Sequence, residues 1–329
     1  MTVKETDQAQ WSQETLLGMG RAFMESRVLL TGAELDLFTL AADKPLSAEQ
    51  IAERIGADLR ALTIVLDALV AMGLLIKQSD SYQTEPSAAR MLSADNPTSI
   101  LPMIQHSADL WNRWGQLTQR VAGPREKEKS MRAFIGAMHV IGNVLAPRIV
   151  SLVEPAGTQR LLDVGGASGT YTIAFLEAEP QMRATLFDLP PVIEMARERL
   201  GAAGMLDRVT LVAGDYRKDP LPAGHDLAFV SAIIHQNSPA ENVTMFRKIF
   251  TALDPGGRIV LRDHILSTNR THPRSGTLFA VNMLVGTEGG NSYTETEIRD
   301  ALEQAGFTGM RIIHPDTRMD GLMEGFRPR

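Results

Sequence analysis

Apolar residues recur at helical spacing through the first third of the chain, then change from Arg160 onward to short apolar blocks separated by polar turns. In the first part, Leu30, Leu35, Leu37, Phe38 and Leu40 predict one buried helix. Pro45, Leu46 and Ser47 interrupt it. Ser47, with Gln50 three residues on, is a capping box that predicts a helix over Ala48–Ile55, stopped by Gly56. Asp58 caps the next, which carries Leu62, Val65, Leu66, Leu69 and Val70 on one face and breaks at Gly73. Leu74–Lys77 and Tyr82–Thr84 read as short strands around a polar turn at Ser79–Ser81. Three helices and a small hairpin make a winged-helix pattern.

Pro97–Val153 reads as two or more connecting helices, with a solvated loop at Gly123, Pro124 and the charged run Arg125–Lys129. Phe134–Val153 is strongly apolar and suits either a pocket lining or a core helix. Beyond it, strands are expected at Leu161–Val164, Ala184–Phe187, Val209–Val212, Leu227–Ser231, Arg258–Arg262, Met310–Ile313 and about Gly321–Gly325. Helices are expected between the first five, and another opening after Thr294. The alternation predicts an α/β domain with a doubly wound, mainly parallel seven-stranded sheet. The expected division is a winged-helix domain over 1–100 and a helical connector with the sheet domain over 101–329.

The 329 residues are enough for two domains, and 44% apolar with 22% charged residues is ordinary for a soluble globular chain. A winged helix is often a DNA reader, but the charge argues otherwise. The net charge is −6. Between Glu34 and Lys77 the acids Glu34, Asp36, Asp43, Glu49, Glu53, Asp58 and Asp67 face only Lys44, Arg54, Arg60 and Lys77 as bases. A groove-binding surface needs the reverse balance, so burial against a second subunit is the better reading, and no nucleic-acid or membrane partner is expected. There is no cysteine, which removes disulfides and thiolate chemistry and makes the cytoplasm the simplest setting. Met1–Gln10 is polar and mixed in charge, unlike a signal peptide, and no apolar run reads as long enough for a bilayer.

The chemistry concentrates at strand ends. Leu161-Leu162-Asp163-Val164-Gly165-Gly166-Ala167-Ser168-Gly169-Thr170 is a buried strand running into a glycine turn and then a helix. Such a turn, at the carboxyl end of the first strand, is where these sheets bind ligands. The dinucleotide fingerprint fails, because Ala167 and Thr170 replace its second and third glycines. Asp163 would repel a pyrophosphate but suits the ammonium and sulfonium of S-adenosylmethionine. Asp188 follows by about the twenty residues expected of an acid that binds ribose hydroxyls. Asp215 is placed to accept from an adenine amino group, with Tyr216 packing on the ring.

With these marks the sequence resembles the S-adenosylmethionine-dependent O-methyltransferases of the caffeic acid and acetylserotonin type, including bacterial polyketide-tailoring enzymes. The resemblance rests on Asp163–Gly169, Phe187-Asp188-Leu189-Pro190, Gly214-Asp215, Ile233-Ile234-His235, Asp254-Pro255-Gly256-Gly257-Arg258 and Gly289-Gly290, and it spans nearly the whole chain. It implies a class I methyltransferase (Rossmann-like) fold and a homodimer through the N-terminal domain. It also implies His235 as general base, oriented by Asp263. The cofactor set would be Asp163, Gly165, Gly166, Asp188, Leu189, Gly214, Asp215, Tyr216 and Ser231. Met138 and Met283 match positions that pack around a small-molecule acceptor, with His139 and Asn282 as further candidates, and no metal is needed. Three departures stand out. His235-Gln236-Asn237 replaces the usual His-Asp-Trp, Ser231 stands where many members have lysine, and Ser292 takes the position of a second glutamate that orients the histidine in plant enzymes.

Methyl transfer from a sulfonium is an in-line displacement, so the protein must align the acceptor, exclude water and take the proton of a hydroxyl. A phenol has a pKa of about 10, whereas an unperturbed imidazole at about 6.5 is free to accept that proton at neutral pH. Transfer to nitrogen, sulfur or carbon, and a non-methylating relative that keeps the cofactor site, are the alternative readings. Strand alternation would turn His264 away from the side taken by Asp263.

Overall fold

A computed structural model describes residues 11–123 and 131–329. The polar run Met1–Gln10 and the charged loop Arg125–Lys129 lie outside the described residues. The chain divides into two units, Met1–Pro124 and Arg125–Arg329.

The first unit holds helices α1 (Gln13–Arg21), α2 (Phe23–Glu34), α3 (Leu37–Leu40), α4 (Ala48–Ile55), α5 (Leu59–Ala71), α6 (Pro86–Leu92), α7 (Leu101–Gly115) and α8 (Leu117–Ala122). Strands β1 (Leu46–Ser47), β2 (Leu75–Gln78) and β3 (Ser81–Thr84) form an antiparallel sheet in the order β1-β3-β2. Both halves of the Ser47–Gln50 capping box are made, and Asp58 accepts from the Ala61 N–H at 2.8 Å. The single helix expected from Leu30 to Leu40 is two. Asp36 turns left-handed at φ 53° and its carboxylate accepts from Thr39 Oγ1, which separates α2 from α3. Buried Asp67 of α5 accepts from Lys77 Nζ at 2.7 Å and Tyr82 OH at 2.8 Å, which ties the helix to the hairpin. Gln105 of α7 donates to the Ala33 carbonyl of α2 at 3.3 Å. Helices α7 and α8 thus lie in the first compact unit, which ends at Pro124.

The second unit opens with α9 (Met131–Val153), followed by β4 (Arg160–Val164), α10 (Thr170–Ala178), β5 (Arg183–Asp188), α11 (Pro190–Ala202), β6 (Val209–Ala213) and β7 (His225–Ser231). Then come α12 (Pro239–Ala252), β8 (Leu253–Asp263), β9 (Ile265–Leu266), α13 (Arg274–Gly286), β10 (Tyr293–Thr294), α14 (Glu295–Gln304), β11 (Thr308–His314) and β12 (Gly321–Phe326). The sheet order is β11-β12-β8-β7-β4-β5-β6, and only β12 runs against its neighbours. This is the mainly parallel seven-stranded sheet the sequence predicts. Period-two alternation sends Leu162, Val230 and Leu261 to one core and Leu161, Phe229 and Val260 to the other. The inner strands, such as β4, β7 and β8, are buried on both faces and read as continuous apolar runs, which makes them legible.

Three features differ from the sequence expectation. No helix joins β6 to β7; residues 214–224 are a short turn and irregular backbone, and Pro220 and Pro222 in that stretch are poor helix-interior residues. Helix α13 and the small parallel β9–β10 pair are additional. Helix α9 is 23 residues long and apolar enough by length and composition to cross a bilayer, which the run-length reading did not register. From Ala146 on, Ile149, Val150 and Val153 of α9 pack into the core beneath the sheet.

From β4 the chain winds outward through β5 and β6, then returns to β7 on the other side of β4. The carboxyl ends of β4 and β7 therefore diverge and open a crevice at the switch in strand order.

Candidate functional site

The glycine turn is held by its backbone. Gly165 leaves β4 at φ 70° and donates to the Phe187 carbonyl at 2.8 Å; a Cβ there would lie 2.5 Å from Ile233 Cδ1. Gly214, after β6, donates to the Asp188 carbonyl, and a Cβ would lie 2.5 Å from Phe187 Cζ. Gly166 passes over the Asp163 carboxylate.

Asp188 closes β5 and is the hub of the turn. Its Oδ2 accepts from the Ala167 N–H at 2.8 Å and its Oδ1 from the Leu189 N–H at 2.7 Å. Burial raises its carboxyl, with those two bonds opposing. A carboxylate offers about four lone-pair sites, so half remain for a ligand. Leu189, next to it, is exposed at the start of α11.

Asp163 lies one residue inside the end of β4. It is 1% exposed and accepts from Thr172 Oγ1 at 2.6 Å. Burial, opposed by the Thr172 bond and reinforced by the Asp188 charge, pushes it up to about 7. Alternation turns it into the sheet face, so its action on a bound cation is through space. Asp215 accepts from the Arg217 N–H at 3.0 Å. Tyr216 is directed at Asn237, whose Oδ1 accepts from the Tyr216 hydroxyl at 2.9 Å and from Arg217 Nη2 at 3.2 Å. Asn237, at the expected tryptophan position, is wholly buried and also donates to Asn242 at 3.1 Å. A polar network fills that corner of the site.

After β7, Ala232 takes φ 56° and a 3-10 turn, Ile234–Gln236, presents His235. His235 Nδ1 lies 2.9 and 3.0 Å from the two Asp263 oxygens. Asp263 is 2% exposed, and its Oδ1 also accepts from the His264 N–H at 2.8 Å. Burial pushes Asp263 up, but the His235 charge and hydrogen bond, helped by His264, outweigh it, leaving the carboxyl below its ordinary range. The His235 ring meets Phe279 of α13 edge-on, with centroids 4.8 Å apart. The Asn291 N–H donates to the His235 carbonyl at 2.8 Å. Ser292 points elsewhere, donating to the Gly276 carbonyl at 2.8 Å. His264 departs from the alternation argument because β8 ends at Asp263; its ring packs 5.2 Å from the same Phe279 and bonds Asp316.

Of the acceptor candidates, Met283 is buried on α13 one turn from Phe279, while Asn282 is exposed. Met138 is exposed on α9. His139 is clamped between Thr170 Oγ1 at 2.9 Å and Arg199, joining α9, α10 and α11; burial and then Arg199 lower its pKa. Ser231 accepts from Arg262 Nη1 at 3.2 Å. Phe279, Tyr171 and Arg262 escaped the sequence reading. The one visible signal was Arg262, a charge at the end of the apolar run Ile259-Val260-Leu261.

A model of the O-methyltransferase domain matches residues 116–308, and a model of the O-methyltransferase dimerisation domain matches 19–94. The tetracenomycin polyketide synthesis 8-O-methyl transferase of Streptomyces glaucescens is 31% identical, over 95% of this chain and 96% of that protein. The 3-hydroxy-5-methyl-1-naphthoate 3-O-methyltransferase of Streptomyces sahachiroi is 29% identical, over 91% of this chain and 90% of that protein. Among solved structures, an O-methyltransferase family 2 protein from Planctomyces limnophilus, in complex with apigenin, matches with a TM-score of 0.83 at 26% identity, covering 99% of this chain and all of that one.

Proposed function

The chain belongs to the S-adenosylmethionine-dependent O-methyltransferase family, and from that premise we propose that it methylates a hydroxyl on a small aromatic acceptor, with His235 as general base and Asp263 orienting it. S-adenosylmethionine supplies a methyl group already activated by its sulfonium. The residues present suit that nucleoside. The turn at Gly165 and Gly214 has no room for side chains, Asp188 keeps acceptor capacity for a ribose diol, and carboxylates rather than cations end β4, β5 and the Gly214 turn.

The observation that carries the base assignment is the bond from His235 Nδ1 to Asp263. An ionised carboxylate only accepts, so it fixes the proton on Nδ1 and leaves Nε2 as the acceptor. Asp263 also stabilises the imidazolium once the acceptor proton has moved. Such a base is worth roughly 10²- to 10⁴-fold in rate. The aromatic acceptor is supported by the relatives, which are named for a polyketide 8-hydroxyl and a naphthoate 3-hydroxyl.

The first unit would form the homodimer. Trp11, Met19, Met103, Trp114 and Val121 stand exposed on or beside its helices, an apolar surface of the kind a partner covers. A cytoplasmic setting goes with this reading. The test is formation of S-adenosylhomocysteine with a panel of phenols, with mass spectrometry and NMR to locate the methyl group. The expected product is an aryl methyl ether. Methylation at carbon or nitrogen, or cofactor binding without turnover on any phenol, would overturn the proposal.

A further inference from the structure

Arg262 is a buried cation with an unfinished set of bonds. It is 4% exposed near the carboxyl end of β8, in register with Ser231 of β7 and Leu322 of β12. Nη1 donates to Ser231 Oγ at 3.2 Å, and the guanidinium lies 5.5 Å from the centre of the Tyr171 ring. Its Nε and Nη2 have no hydrogen-bond partner among the described residues, and the buried Tyr171 hydroxyl is set toward Ser231. A buried charge left this way is expensive unless an anion completes it.

Its position says which anion. Ser231 and Arg262 share a face with Phe229, and Asp163 is the register partner of Phe229. Asp163 and Arg262 therefore lie on one sheet face at the carboxyl ends of β4 and β8, with β7 between them, about 10 Å apart laterally at the usual strand spacing. Tyr171 belongs to the first turn of α10, directly after the glycine turn. Asp163 is already bonded to Thr172, so the donors left on that face are those of Arg262, beside the helix that follows the glycine turn. The tail of the methyl donor carries one anion, its carboxylate.

We propose that Arg262, with Ser231 and Tyr171, forms a carboxylate subsite that holds the amino-acid tail of the methyl donor. The inference rests on the cofactor reading above and adds a specificity residue to it. A planar guanidinium with two free donors binds a carboxylate in a bidentate manner.

The test compares two nucleosides by calorimetry: S-adenosylhomocysteine, which has the amino-acid tail, and 5′-methylthioadenosine, which lacks it. Arg262→Met should weaken S-adenosylhomocysteine by about 10- to 100-fold, the range for charge-assisted hydrogen bonds, and leave methylthioadenosine unchanged. Arg262→Lys should recover part of the loss. Unchanged S-adenosylhomocysteine affinity in the Met variant would overturn the proposal, as would equal loss of both nucleosides in both variants, the mark of a packing role. A rise in KM confined to a carboxylate-bearing acceptor, relative to its ester, would give the subsite to the acceptor instead. Failure of the unaltered protein to bind either nucleoside would strike the cofactor reading rather than Arg262.

Discussion

Asp263→Asn separates positioning from base strength with almost no change in shape. In the native site both carboxylate oxygens lie within 3.0 Å of His235 Nδ1, and Oδ1 also takes the His264 N–H. An asparagine has one oxygen and one amide. If the oxygen keeps the His264 bond, the amide faces Nδ1 and donates to it. The imidazole must then carry its proton on Nε2, where it can no longer accept one. For an acceptor with a pKa of about 10 the rate should fall by roughly 10²- to 10⁴-fold, about 3–5 kcal/mol of barrier. Initial rates of S-adenosylhomocysteine release would be measured on ring-substituted phenols spanning the assay pH. Phenols already ionised need no base, so their loss should shrink to a few-fold. Calorimetry should find cofactor affinity within about twofold of native, since Asp263 is not among the residues of the glycine turn. An equal loss on ionised and neutral phenols, with folding intact, would refute the base role and leave only a packing role.

Asp188→Ala removes the acceptor of the Ala167 and Leu189 N–H groups together with the ribose site, and cofactor affinity should fall by about 100-fold or more; native affinity by calorimetry would reject the ribose assignment. Gly214→Ala places a methyl group 2.5 Å from Cζ of Phe187, a ring that is itself 1% exposed and hemmed in, so denaturant unfolding should show a loss of about 1–3 kcal/mol, and a neutral result would mean the turn yields. Asp163, raised to about 7, favours the folded state in its protonated form. Its contribution is full below the ordinary carboxylate pKa of about 4 and is lost as pH rises through about 7. Asp163→Asn should therefore flatten the dependence of stability on pH between those limits, and an unchanged profile would place the titration elsewhere.

The centre of the sheet was legible because burial on both faces leaves few polar residues within β4, β7 and β8. Each strand expected for the seven-stranded sheet lies within the observed one, although the observed β8 starts five residues earlier, at Leu253. Helix starts were legible where a capping box marks them, at Ser47 and Thr294. The break between α2 and α3 was not. Leu30, Leu37 and Phe38 keep helical spacing across it, and the left-handed turn at Asp36 leaves no trace in the hydrophobic pattern. The missing helix before β7 could have been read, since Pro220 and Pro222 sit within the segment.

The site was legible where a residue acts from its own strand end, and illegible where its role depends on what crosses the sheet. Asp188 and His235 lie beside carboxyl strand ends, Asp188 as the last residue of β5 and His235 in the turn after β7. Asp163 belongs to the same motif, yet it sits one residue before the end of β4, and alternation turns it inward. His139 looked like a pocket residue until α10 and α11 supplied Thr170 and Arg199 to hold it. Arg262 is the sharpest case. Its meaning comes from Ser231, thirty-one positions away and adjacent only through the β7–β8 ladder. Even so, a lone arginine at the end of an apolar strand buried on both faces is a physical anomaly. A guanidinium completed only in part by Ser231 and the Tyr171 ring has donors to offer, and in a sheet whose ligands gather at the carboxyl ends a ligand is placed to take them.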